Sequence, residues 1–417
     1  MKRGTDTGHV LPEGRLLTPH NEDYRSNPKR YYDMLRVQAP RHNDAEYGRT
    51  LLTTFPDVKT SIRDKRFSVD AKYSKEDSYM RRIAANGLDT HEGEAAYTPP
   101  LVLLDDPDHR RVRSLMSKAF NPQSIAGLRG RIQRIASSLL DEIGDRKEID
   151  LIEAFAGPLP TQVILDMMGM TNASTSNFKV WSEDILMGYD PERGDDVQKK
   201  LKSAYVNMSL EFREAVKARR VNPKHDLISA MVRAQEDDDQ LSDLEIISLC
   251  TQLMVAGNVT TSDLISNGVF ALMNCSQSLK KLTANPSLIL SAVEEMLRFD
   301  CLIAETARIA KEDLQLNGCP VKAGDTITAS LSAANHDPRK FPDPHVFDIE
   351  RINNDHLGFG SGIHVCLGAP LARLEVQIAV QTLLARYPHI KFDPKIAVTR
   401  RELPFFSGFT RLNVSLW

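Results

Sequence analysis

Phe359-Gly-Ser-Gly-Ile-His-Val-Cys366-Leu-Gly368 leads directly into a helical stretch, about Ala369 to Arg386, that ends before Pro388. Gly360 and Gly362 permit tight backbone turns, and Gly368 lets backbone come close to the Cys366 sulfur. A helix N-terminus lowers a thiol pKa and offers free N–H donors to a thiolate. His364, two residues from the cysteine, can hydrogen-bond an anionic group. An isolated cysteine ahead of a helix is ordinarily a buried thiol, but this neighbourhood also suits an ionised one. A phosphate loop fits poorly. The glycines do not follow G-x-G-x-x-G, no Lys-Ser/Thr follows them, and no βαβ unit surrounds them.

Upstream, the chain reads as mostly helical from Asp106 to about Arg298, with apolar residues at three- and four-residue steps in Ile132–Ile143, Pro160–Met170, Leu244–Met273 and Ser287–Phe299. Ser242-Asp-Leu-Glu245 reads as a capping box, and no proline follows until Pro286. The predicted helix is about 30 residues long, or about 45 Å, and apolar almost all round, so it should be buried. Gly257, Asn258, Thr260, Thr261 and Ser262 at its midpoint predict a local distortion. Beyond Arg298 the character changes. Asp313 to Ala329 reads as strands around an Asn317-Gly318 turn, and Asp337–Pro344 as an irregular loop. The first 100 or so residues mix turns with strand-like runs such as Arg49–Thr54. The fold class expected is mainly α within α+β.

The spacing Phe-x-x-Gly-x-His-x-Cys-x-Gly at Phe359–Gly368 resembles the haem-binding signature of cytochrome P450 without a gap. The resemblance runs from about Arg30 to the C-terminus. It implies a cytochrome P450 fold, a single domain over residues 1–417 with the β-containing part at about 30–100, and haem b held by the Cys366 thiolate as metal ligand. Phe359, His364 and Gly368 then belong to the cofactor-binding loop. Asp106-Pro-Asp-His109-Arg-Arg-Val-Arg113 resembles the segment that binds a haem propionate, and Arg308 occupies the position of another propionate-binding arginine. The i,i+4 spacing puts His109 and Arg113 on one helix face, where a solvated basic face is the alternative. Glu295-Met-Leu-Arg298 resembles the family's Glu-x-x-Arg helix. Arg351 is the expected third, structural member, with His356 as the alternative.

Ala256-Gly257-Asn258-Val259-Thr260-Thr261 resembles the oxygen-binding stretch of the family's long helix, with Thr260 above the iron. The departure is Val259, where the family carries an acid. Proton relay would then fall to Asn258 with water, or to Asp263, one turn from Val259. The pocket is expected from the loop between about Tyr79 and Leu101, from Leu253, Ala256, Leu302, Ile303, Ala304 and Glu305, and from Phe405 and Phe406 through Phe409. Glu305 is a candidate selector for a polar or basic substrate group. The ordinary alternative for each is core packing.

Composition narrows the class further. The 417 residues are 41% hydrophobic and carry a net charge of −3, which gives no reason to expect nucleic acid. No segment reaches the roughly 18 uninterrupted apolar residues of a membrane span, and no signal peptide or anchor is visible. Five widely spaced cysteines without a C-x-x-C pair favour a reducing cytoplasm, four of them as small buried hydrophobes. The reading is a cytoplasmic, monomeric monooxygenase that inserts one atom of O2 into a hydrophobic small molecule. With no reductase domain after Trp417, electrons are expected from a ferredoxin and its NAD(P)H-dependent reductase. Arg110, Lys118 and Arg373 would form the basic surface that receives it. The rivals are a peroxide-driven oxygenase, a ring-coupling, dehydrating or reducing member, and a haem sensor without turnover.

Overall fold

The computed structural model describes residues 11–85, 99–238, 241–392, 396 and 398–417. Its helices include α1 (Asp108–Ala119), α2 (Arg129–Ile143), α3 (Pro158–Met167), α4 (Thr175–Leu186), α5 (Asp195–Val221), α6 (Asp243–Asn274), α7 (Ile289–Phe299) and α8 (Ala369–Arg386). A five-stranded sheet holds β1 (Arg41–Asp44), β2 (Arg49–Leu52), β3 (Phe67–Ser68), β4 (Glu305–Ala310) and β5 (Thr326–Ser330) in the order β1-β2-β5-β4-β3. Arg49 of β2 pairs in parallel with Thr326 of β5, so the N-terminal strands and the segment after α7 share one sheet. The helix-dominant α+β expectation holds. Leu314–Leu316 and Cys319–Val321 are joined by Asn317 and Gly318 at φ 47° and 83°, the left-handed pair that a two-residue hairpin turn requires.

The central helix α6 starts where the capping box predicts. The Ser242 hydroxyl accepts from Glu245 N at 3.1 Å, and Glu245 Oε2 accepts from Ser242 N at 2.7 Å. It runs 32 residues and is buried along most of its length. It packs directly on α3, α4, α5, α7 and α8.

At its midpoint the expected back-bond forms, from Thr260 Oγ1 to Ala256 O, without interrupting the helix. The helix is continuous, and its glycines serve packing instead. A Cβ on Gly257 would lie 2.9 Å from Ile164 of α3, and one on Gly268 would lie within 3.0 Å of the Met296 side chain of α7. Each glycine costs about 1 kcal/mol of helix propensity and lets a neighbouring helix close in. Among the described residues no helix is long and apolar enough to cross a membrane.

Candidate functional site

The cysteine loop is built from backbone. Cys366 N donates to Phe359 O at 2.9 Å, and Gly360 N to Leu357 O at 2.8 Å. Gly360 and Gly362 take φ of 69° and 78°, and a Cβ on Gly362 would lie 2.9 Å from Ile62 O. Both turns need glycine. Gly368 does not need it for the sulfur, because an added Cβ would sit 4.0 Å from Sγ, an ordinary contact. Cys366 is solvent-accessible although protein crowds it, as befits the wall of an internal cavity. That crowding pushes its thiol pKa up, while N–H groups of Gly368 and Ala369 and the charge of Arg113 pull it down.

Two ion networks hold the loop. Arg298 uses all five of its N–H donors: two on the Glu295 carboxylate, at 2.7 and 2.8 Å, and three on the carbonyls of Asn335, Pro344 and Val346. Arg351 Nε also donates to Glu295, at 3.1 Å, and its other nitrogens reach the carbonyls of Pro342, Asp343 and Val346. Arg351 is therefore the third member. His356 instead meets Glu294, which also accepts from Arg373 at 2.7 and 2.9 Å. Arg373 in turn lies 4.6 Å over the Phe359 ring. Arg373 remains more than a third exposed while it makes the pair with Glu294. Arg110 is held by Asp106 at 2.9 Å, and the Lys118 side chain lies outside the described residues.

The predicted cofactor-binding side chains His109, Arg113, Arg308 and His364 cluster near the cysteine loop. The rings of His109 and His364 stand 4.4 Å apart, and Arg113 donates to Val365 O at 2.7 Å. Arg308 is buried on β4, with its guanidinium bonded only to Thr306 Oγ1 and Ala307 O. Among the described residues neither arginine forms a carboxylate ion pair, and His109 Nε2 is buried without a partner. Burial, then Arg308, His109 and Arg113, push the His364 pKa down to about 3. Burial lowers Arg308 to about 10. These donors suit a ligand carrying carboxylates, and the propionates of haem b fit them.

The helix α6 presents one accessible stripe. Leu253, Ala256, Gly257 and Thr260 are accessible, while Asn258, Val259 and residues 261–269 are buried. The spacing i, i+3, i+4, i+7 is one helix face. Thr260 Oγ1 donates back to Ala256 O at 2.5 Å. At 3.6 residues per turn Asn258 sits about 160° round the helix from Thr260, on the buried side. Asn258 therefore lies off the accessible stripe that carries Thr260. Asp263 sits only about 60° from Thr260, one turn on.

The predicted pocket residues divide. Leu302, Phe405 and Phe406 are buried, and Ile303 is half-buried. Ala304 N donates to Phe405 O at 2.7 Å, and Ile303 bridges Phe406, so this strand segment and the C-terminal loop form one wall. Phe405 stacks on Tyr79, and Tyr79 on Tyr47, at 5.3 and 4.9 Å. Glu305, expected as a substrate selector, already has a partner. Its carboxylate is buried against Arg49 at 3.1 Å, beside the fully buried Arg49–Asp44 pair. Most of the expected loop after Tyr79, residues 86–98, lies outside the described residues. Of the other cysteines, Cys250 and Cys301 are buried as expected, whereas Cys275 is partly buried and Cys319 exposed.

The family model described as Cytochrome P450 matches residues 160–402. The polyketide biosynthesis cytochrome P450 PksS of Bacillus subtilis (strain 168) is 35% identical, over 97% of this chain and 99% of its own. The 6-deoxyerythronolide B hydroxylase of Saccharopolyspora erythraea is 34% identical, over 93% of this chain and 95% of its own. The solved structure of CxnD, a cytochrome P450 enzyme for C–S bond formation in chuangxinmycin biosynthesis, is similar at a TM-score of 0.87. It is 32% identical, covering 97% of this chain and 98% of that one.

Proposed function

Because this chain belongs to the cytochrome P450 superfamily and is an oxidoreductase of the bacterial type, we propose that it inserts one atom of O2 into a hydrophobic small molecule, with Cys366 as the thiolate ligand of haem b. The observation that carries the reading is the accessible Cys366 beside Arg113 and Arg308, neither of which forms a carboxylate ion pair among the described residues, with the His109 and His364 rings next to them. Haem b, which the family uses with O2, supplies when bound the iron centre at which O2 is reduced. His109, Arg113 and Arg308 would hold the propionates, with His364 beside them, and Gly368 and Ala369 N–H groups would steady the sulfur charge. The stripe Leu253, Ala256, Gly257 and Thr260 lines the opposite wall, where apolar side chains exclude water and the Thr260 hydroxyl holds a proton. Phe405, Phe406, Ile303 and Ala304 orient the substrate. Relatives named for polyketide biosynthesis and for hydroxylating 6-deoxyerythronolide B support an apolar substrate.

Electrons come from a ferredoxin and its NAD(P)H-dependent reductase. Supporting this are Ile363 and Val365, exposed on the cysteine loop near Arg113. We read residues 1–417 as one domain. A second reading, bond coupling rather than hydroxylation, has the structural likeness to CxnD behind it. Turnover with ferredoxin, reductase and NADH against turnover with hydrogen peroxide tests the electron route. Cys366→Ser is expected to abolish the thiolate signature of the ferrous carbonyl complex along with product. Retention of that signature would overturn the assignment.

A further inference from the structure

The site lacks an acid beside Thr260 on the buried flank, where Val259 stands. Asp263 is the acid nearest to Thr260 along α6. It is 1% exposed, one turn beyond Thr260 on the same side of α6, and its Oδ1 accepts from Arg401 at 3.2 Å. Its Oδ2 has no hydrogen-bond partner among the described residues, and neither does Arg401 Nε. The carboxylate lies against bare backbone, since a Cβ on Gly408 would come within 2.6 Å of all three of its terminal atoms. Arg401 and Gly408 also line a cleft of about 40 Å3, together with Thr18, Arg25, Phe405 and Phe406. That volume holds one or two waters.

We infer that Asp263 is the proton-delivering acid of this chain, supplied from the cleft between the N-terminal segment and residues 400–408. The inference rests on the P450 reading above. A proton leaves the Asp263 carboxyl for the Thr260 hydroxyl, directly or through one water, and Thr260 passes its own proton into the pocket. The carboxylate left behind is reprotonated from cleft water. One turn of helix separates the two side chains, about 5–6 Å between Cβ atoms. Burial raises the Asp263 carboxyl to about 6 against the opposing charge of Arg401, with Glu183 and Asp300 adding to the rise. At that value it exchanges its proton readily near neutrality. Arg401, Glu183 and Asp300 are the charged groups acting on it, from the C-terminal loop, α4 and the end of α7.

The test uses the ferric holoenzyme as wild type, Asp263→Asn, Asp263→Asn with Val259→Asp, and Arg401→Gln. Infrared titration should show a protonated carboxyl lost near pH 6 in wild type, absent in Asp263→Asn and shifted to higher pH in Arg401→Gln. In turnover, Asp263→Asn should lower product per NAD(P)H by at least about tenfold, with peroxide release and the solvent isotope effect both rising. Val259→Asp should restore coupling in that background. Unchanged coupling in Asp263→Asn, or no carboxyl titrating in this range, would overturn the inference. A wild-type ferrous carbonyl complex without the thiolate signature would instead overturn the P450 reading itself.

Discussion

The two sides of the candidate haem site are built on opposite principles. Behind the cysteine loop the Glu295 network is saturated: Arg298 spends every donor, and Glu295 accepts from Arg298, Arg351, Asn354 and the Asp348 N–H. On the α6 side the polar atoms are sparsely bonded, with Asp263 Oδ2 and Asn258 Nδ2 lacking protein partners. Saturation rigidifies, because any displacement leaves a buried charge unpaired. Sparse bonding leaves a proton free to change hosts. One side is made to hold still and the other to exchange.

The largest expected effect tests the still side. Glu295→Ala strands Arg298 and Arg351 and should cost about 3–5 kcal/mol in denaturant unfolding. A loss under about 1 kcal/mol would mean that the network is not what holds the loop. Next, Arg308→Leu should weaken haem retention by about 1.5–3 kcal/mol, read as haem loss to an apo-globin acceptor. Apoprotein stability should not fall, because a lone buried charge has been removed.

The third expectation concerns pH. Burial alone would raise Glu294, but hydrogen bonds from Arg373 and His356 override it and hold the carboxyl at about 2, below its ordinary 4.5. The folded chain therefore binds fewer protons than the unfolded one between these values. The stabilisation is complete above pH 4.5 and is lost as pH falls through 2. With Glu294 partly solvated it amounts to about 1–2 kcal/mol, and Glu294→Gln should flatten the stability profile in this window. The smallest effect on the fold belongs to the other side. Thr260→Ala should change stability by less than about 0.5 kcal/mol, since the back-bond to Ala256 is a weak one. It should still divert reducing equivalents to peroxide, measured as product per NAD(P)H. A large stability loss there would erase the contrast between the two sides.

Much of this was readable along the chain because the deciding relations are short in sequence. The capping box spans three residues, Glu295 and Arg298 share one helix turn, and Gly360, Gly362 and Cys366 form one loop. The central helix ran from Asp243 to Asn274 as its unbroken apolar pattern required. Helical angle, rather than residue type, separated Asn258 from Thr260, and burial around α6 showed which face mattered.

Partners were what the linear pattern could not supply. Glu305 looked like a substrate selector until Arg49, 256 residues away, took its carboxylate. Arg373 looked like an unpaired charge until Glu294, 79 residues away, met it at the surface. Gly257 looked like a helix flaw until Ile164 filled the notch. The sequence by itself determined the helices, the turn glycines and the identity of Cys366, because each depends on neighbours within a turn or two. Only the tertiary structure decided which charges are spent and which remain free, because a charge is neutralised by whatever stands within about 4 Å of it, however distant in the chain.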